Sequence, residues 1–128
     1  MWLRRQCTKY NGTSYISQRG ALATYTPEGK AAIQANITYY QQTAQVLLKG
    51  LRELGYEVYG GVHAPYIWCR VPEGYTSWSF FDYLLNTVQV VCTPGAGFGP
   101  SGEGFVRFSA FSYRKDCEEA LKRMKTLA

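Results

Sequence analysis

The sequence predicts an α+β fold: a small antiparallel or mixed sheet, helices packed mainly on one of its faces, and one long helix lying across it. Three observations lead there. Ile33, Ile37, Tyr40, Ala44, Leu47, Leu51 and Leu54 recur every three or four positions, the period of a helix with one buried stripe. After Gly55 the pattern changes to short β-rich runs broken by glycine and proline, which is strand punctuation. Helical spacing then returns at "WSFFDYLLNT" and near the end of the chain, so helices and strands are mixed along one sequence.

Taken in order, Thr13 or Ser14 can cap a short helix over 14–24, "SYISQRGALAT", which Gly20 weakens. "TPEG" restarts helix with Thr26 as N-cap, Pro27 in the first helical position and Glu28 in the first turn. That helix runs to about Leu54, and Gly55 is a natural stop. "YEVYGG" reads as a short strand entering a tight turn, and "YIWCRV", 66–71, as a strand closed by Pro72. Ser77 caps the next helix, with Trp78, Phe81, Leu84 and Leu85 on its apolar side. "VQVVC", 88–92, and "GFVRFSAF", 104–111, read as two further strands. The last helix spans about Arg114 to Leu127 and buries Cys117, Ala120, Leu121 and Met124. There is no internal repeat or low-complexity segment.

Composition narrows the function classes. With 128 residues, 46% hydrophobic and 18% charged, the chain has enough material for one domain with a core. No apolar run reaches the roughly 20 residues of a membrane helix. "MWLRRQCTKYNG" is basic, but no apolar stretch follows it as in a secretory signal. The formal charge of +5 is scattered, with only "KRMK" clustered, so it permits acidic partners without requiring them. Cys7, Cys69, Cys92 and Cys117 are widely spaced and form no zinc-type pair. They read as reduced thiols in a cytoplasmic protein. His63 is the only histidine and reads as a turn residue, which leaves no basis for a histidine metal site or triad.

The chemistry concentrates in "TPGAGFGPSGEGFVRFS", 93–109, where five glycines precede a β-like run holding Arg107 between Val106 and Phe108. "GFGPSG", 97–102, matches G-x-G-x-x-G, but a phosphate cradle of that type opens a helix, whereas a strand follows here and Pro100 removes an amide donor. "SGEGFVRF", 101–108, is close to the RNP1 strand of RNA-binding domains. Ser101 replaces its basic first residue, however, and Glu103 stands where an aromatic should stack on a base. In the third reading Arg107 is a carboxylate fork fixed on a strand. An arginine on a half-exposed strand also remains open, with Phe105, Arg107 and Ser109 on one face and Val106, Phe108 and Ala110 on the other.

Longer blocks resemble the C-terminal portion of the LL-diaminopimelate aminotransferase family, enzymes of the aspartate-aminotransferase fold type I. "RRQCTKYNGTSYISQRGALA" is similar to that family's stretch with T-K-F-N-G and S-Y-I-x-Q-R. "GYEVYGGVHAPYIW" resembles its G-x-x-V-x-G-G-x-N-A-P-Y-x-W. "TSWSFFDYLLNTVQVVCTPGAGFGPSGEGFVRFSAF" resembles its S-W-x-F-F-x-x-L-L and T-P-G-x-G-F-G-x-x-G-E-G-x-x-R-x-S-A-F blocks. The resemblance implies the small domain of such an enzyme over 26–128, preceded by a segment, 1–25, that packs on a large domain. It implies that Arg107 grips the substrate α-carboxylate and that Asn11 lines the substrate and cofactor pocket. Tyr10 replaces the family's usual phenylalanine, and His63 stands where asparagine is common.

The reaction implied for the parent protein is amino transfer between LL-diaminopimelate and 2-oxoglutarate, with pyridoxal phosphate as cofactor and a homodimer as the assembly. No nucleic acid or membrane partner is implied. The family's S-F-S-K stretch, whose lysine holds the cofactor, has no counterpart, and Lys9 and Lys30 lie in other contexts. The chain therefore reads as a fragment with no catalytic residue and no metal ligand, inactive alone and binding no pyridoxal phosphate by itself. The alternative from a different class is a small basic non-catalytic binding module built on the RNP1-like strand.

Overall fold

The computed structural model describes residues 1–127. They fall into two compact units, Met1–Ile37 and Thr38–Ala128. The first holds helices α1 (Trp2–Lys9) and α2 (Tyr15–Ala23) and the start of α3 (Pro27–Glu53). Helix α1 adds to the sequence-based expectation: "WLRRQCTK" has good helix formers but lacks the apolar periodicity that would announce it. Helix α2 lies where expected. The Thr26 hydroxyl accepts a hydrogen bond from the Gly29 amide at 3.1 Å, so the capping of α3 read from "TPEG" is present. No residue of this unit is buried: Trp2 is 77% exposed, Ile16 82% and Tyr25 74%.

The second unit contains the rest of α3, then β1 (Val58–Gly60), β2 (Tyr66–Arg70), α4 (Ser77–Val88), β3 (Thr93–Pro94), β4 (Phe105–Ser109) and α5 (Arg114–Met124). The four strands form one sheet in the order β1-β2-β4-β3, antiparallel throughout. Strand pairing puts Cys69 opposite Val58 and Val106, and Ile67 opposite Phe108. Alternation turns Ile67, Cys69, Val106 and Phe108 to a single face, and that face is buried. It joins Ala44, Leu47, Leu48 and Leu51 of α3, Phe80, Leu84 and Val88 of α4, and Cys117 and Met124 of α5 in the core. The expected α+β arrangement, with helices on one face of a small sheet, is what the chain forms. Arg114 ties α5 to α3: its amide donates to the Tyr39 hydroxyl and its guanidinium to Gln42 Oε1, both at 2.8 Å.

Three local expectations need correction. Thr76, not Ser77, caps α4. Its hydroxyl accepts from the Ser79 amide, and Ser79 Oγ accepts from the Thr76 amide at 2.9 Å, a capping box with serine as the returning residue. The buried face of α4 is accordingly Ser77, Phe80, Leu84 and Val88, while Trp78 and Leu85 are exposed. "VQVVC" is not a strand: Val88 ends the helix and Gln89 takes a left-handed φ of 56° to cap it. The alternation read there is real, since Val90 and Cys92 are buried and Val91 is exposed, but ladder pairing begins only at Thr93. On α5, Cys117 and Met124 are buried, whereas Ala120 and Leu121 pack partly buried against the core.

Candidate functional site

Arg107 occupies the middle of β4, paired across the sheet with Trp68 on β2 and Thr93 on β3. Its neighbours Val106 and Phe108 are buried, so the backbone position is fixed by the core. The side chain projects from the sheet face opposite the helices. Its guanidinium carbon lies 4.1 Å from the centroid of the Tyr66 ring and 4.4 Å from that of Phe98, and Trp68 meets Phe98 edge-on at 5.3 Å. Ring faces attract a cation by about 0.5–2 kcal/mol, more as water is removed.

These rings hold the fork in place but do not neutralise it. The Nε of Arg107 is buried without a hydrogen-bond partner. None of the ion pairs among the described residues includes Arg107. The half-buried guanidinium thus has no paired acid among the described residues, and a planar fork of this kind matches a carboxylate. Arg107 also borders a cleft of about 570 Å³ on the helix side of the sheet, lined from α5 by Asp116, Glu119 and Arg123.

The glycine loop is folded into 3-10 turns, Gly95–Phe98 and Pro100–Gly102, and leads into a strand. That geometry has no helix N-terminus for a phosphate. Residues 101–102 belong to the second 3-10 segment and 103–104 are turn, so the RNP1-like pattern is strand only over its second half. Glu103 is turned away from any backbone-binding role. Its carboxylate accepts from the Ser77 amide at 2.8 Å, from Ser77 Oγ at 3.1 Å and from the Gly104 amide at 3.0 Å. The Ser77 and Gly104 amides hold its pKa below the ordinary carboxylate range. Ser77 Oγ in turn accepts from the Ala96 amide at 3.3 Å. A Cβ at Gly95 would overlap the carbonyl oxygen of Gly102 and lie 2.6 Å from that of Phe105, so the loop closes on itself only with glycine there.

Asn11 lies in the first unit, exposed, in a turn after α1, with a left-handed φ of 50°. His63 is exposed in the bend before β2, as a turn residue would be. All four cysteines are free. Cys7 is exposed, and the other three are buried. Among the described residues no cluster of metal-binding side chains is present, and no helix is long and apolar enough to cross a membrane. Sequence reasoning missed the aromatic partners Tyr66 and Phe98 and the Glu103–Ser77 link. The Tyr66 contact was latent in the alternation of β2, whereas the other two depend on how the loop folds back.

The pattern of the family described as aminotransferase class I and II matches residues 2–124. The LL-diaminopimelate aminotransferase of Bacteroides fragilis is 58% identical over 125 residues, 98% of this chain and 30% of that protein. That of Phocaeicola vulgatus is 55% identical, over 98% of this chain and 31% of its own length. Among solved structures, L,L-diaminopimelate aminotransferase from Chlamydomonas reinhardtii superposes with a TM-score of 0.92 at 46% identity, over 98% of this chain and 31% of that one. The chain thus spans about 30% of the length of the relatives it matches. With the family pattern covering nearly every residue and the fold in agreement, the chain belongs to the class I and II aminotransferases.

Proposed function

We propose that the chain is the C-terminal portion of an aminotransferase that moves an amino group from LL-diaminopimelate to 2-oxoglutarate. Glutamate forms, and the keto product closes to tetrahydrodipicolinate with loss of water. In this reading Arg107 clasps the α-carboxylate of the amino-acid substrate, and Asn11 lines the pocket for substrate and cofactor. Pyridoxal phosphate supplies the electron-accepting ring in the parent protein, which acts in the cytoplasm as a homodimer. The observation that carries the reading is a strand-mounted guanidinium, held between Tyr66 and Phe98, with no acid partner. The names of the relatives supply the substrate class.

The test is Arg107→Ala and Arg107→Lys in the full-length protein that contains this sequence. Loss of a desolvated charge pair should lower kcat/KM for the amino-acid substrate by about 2–5 kcal/mol. Lysine should restore only part of it, because it lacks the planar fork. Unchanged kcat/KM in the alanine variant would refute the role. By itself the 128-residue chain should neither transaminate nor hold pyridoxal phosphate, and a stable protein-bound cofactor absorbance band on titration would overturn that.

A further inference from the structure

The geometry points to Glu103 as a positioning residue for Arg107. The inference rests on the carboxylate-anchor reading and deepens it. Glu103 reaches back 26 residues to the first residue of α4. It holds both the Ser77 amide and the Ser77 hydroxyl, and that hydroxyl holds the amide of Ala96. Ala96 lies two residues before Phe98, in the same 3-10 turn. Phe98 sets its ring 4.4 Å from the guanidinium carbon of Arg107. A continuous path of hydrogen bonds and one rigid turn thus runs from the Glu103 carboxylate to the ring that confines the arginine.

Ser77 is fully buried and Phe98 is half exposed. The anchored end of the path is therefore rigid, while the functional end depends on it. Glycines on both sides of Phe98 give the turn little stiffness of its own. Without the carboxylate, Ser77 Oγ is no longer held towards the loop, the Ala96 bond that ties the turn to α4 weakens, and the Phe98 ring shifts from the guanidinium. Arg107 then loses one of the two rings that fix its fork, and misplacement of a binding group by about an ångström costs reactivity steeply.

Two measurements on Glu103→Ala and Glu103→Gln test this. In the 128-residue chain, the Nε–H proton resonance of Arg107 should carry a ring-current shift from Tyr66 and Phe98 and exchange slowly with water. Glu103→Ala should move it towards the position of a free arginine and speed its exchange. The amide signals of Val106 and Phe108 should stay in place. Glu103→Gln keeps one accepting oxygen and should fall between. If the alanine variant does not fold, the glutamine variant and Phe98→Leu provide the same comparison, and both should displace the signal.

In the full-length protein, Glu103→Ala should raise KM for the amino-acid substrate about tenfold with kcat little changed, the pattern of lost substrate binding. A purely structural role would lower the active fraction, and hence kcat, at constant KM. An Arg107 resonance indifferent to Glu103 overturns the inference. A resonance that moves while Arg107→Ala leaves KM unaltered keeps the coupling and sinks the carboxylate role instead.

Discussion

Replacing Gly95 with alanine tests the account of the glycine loop most directly. The added methyl group would overlap the Gly102 carbonyl oxygen and approach the Phe105 carbonyl oxygen to 2.6 Å. Both obstacles are backbone, so no rotamer change relieves them. One belongs to the second turn of the loop and the other to β4, next to the residue pair that flanks Arg107. The loop must open by several tenths of an ångström or more. Overpacking of this kind costs about 1–3 kcal/mol. Gly97 is the internal control: its φ is unremarkable and nothing lies within 4 Å of a Cβ built there. Gly97→Ala should be neutral or slightly stabilising, because it restricts the unfolded chain. Urea unfolding followed by tryptophan fluorescence gives both midpoints. Gly95→Ala should lower the midpoint at an unchanged slope, and each lost kcal/mol should lower Tm by about 3–6 °C in a chain of this size. If the two variants unfold at the same urea concentration, the loop is not closed as described.

Three other outcomes are expected. Cys7 is exposed, while burial pushes the Cys69 and Cys92 thiols up to about 12 and raises that of Cys117; a maleimide at neutral pH should therefore label one thiol quickly and the others only on unfolding, and a second fast thiol contradicts the burial pattern. The carboxylate of Glu103 is held below its ordinary pKa in the folded chain, so its contribution to stability is present above the unfolded value of about 4.3 and is lost as pH falls through the lowered folded value. The difference in urea midpoint between the native chain and Glu103→Gln should shrink over that acid range, and a constant difference argues against the link to Ser77. Trp2, Leu3, Tyr15, Ile16 and Leu22 are exposed, so the isolated chain should self-associate in sedimentation velocity and Ile16→Glu should weaken that association; a monomer at every concentration removes the argument from exposed apolar surface.

The parts legible in the sequence are those governed by local rules. Thr26, Pro27 and Glu28 announce the start of α3, and the spacing of Ala44, Leu47 and Leu51 selects its buried face. The same stripe continues through Ile33 and Ile37, which are exposed, because periodicity shows which side is apolar and not whether anything covers it. Alternation along β4 separates Arg107 from Val106 and Phe108 correctly. The end of α4 was misjudged because Gln89 takes a left-handed conformation usual for glycine or asparagine. What surrounds Arg107 was only partly legible: alternation along β2 turns Tyr66 to its face, whereas Phe98, nine positions before it, arrives from a loop that folds back. Glu103 read as a residue standing in place of a base-stacking aromatic, and it proved to be a remote cap for a helix.

The outermost strands also decide how an incompletely covered chain can stick to itself. At one side β3 offers two residues, one of them Pro94, which has no amide hydrogen to donate. At the other, β1 is three residues long and runs into two glycines with positive φ. Neither border presents the long flat ladder that recruits another chain by strand addition. Aggregates of this protein should therefore form by helical apolar surfaces meeting, remain poor in new β-structure and dissolve readily, rather than grow into fibrils.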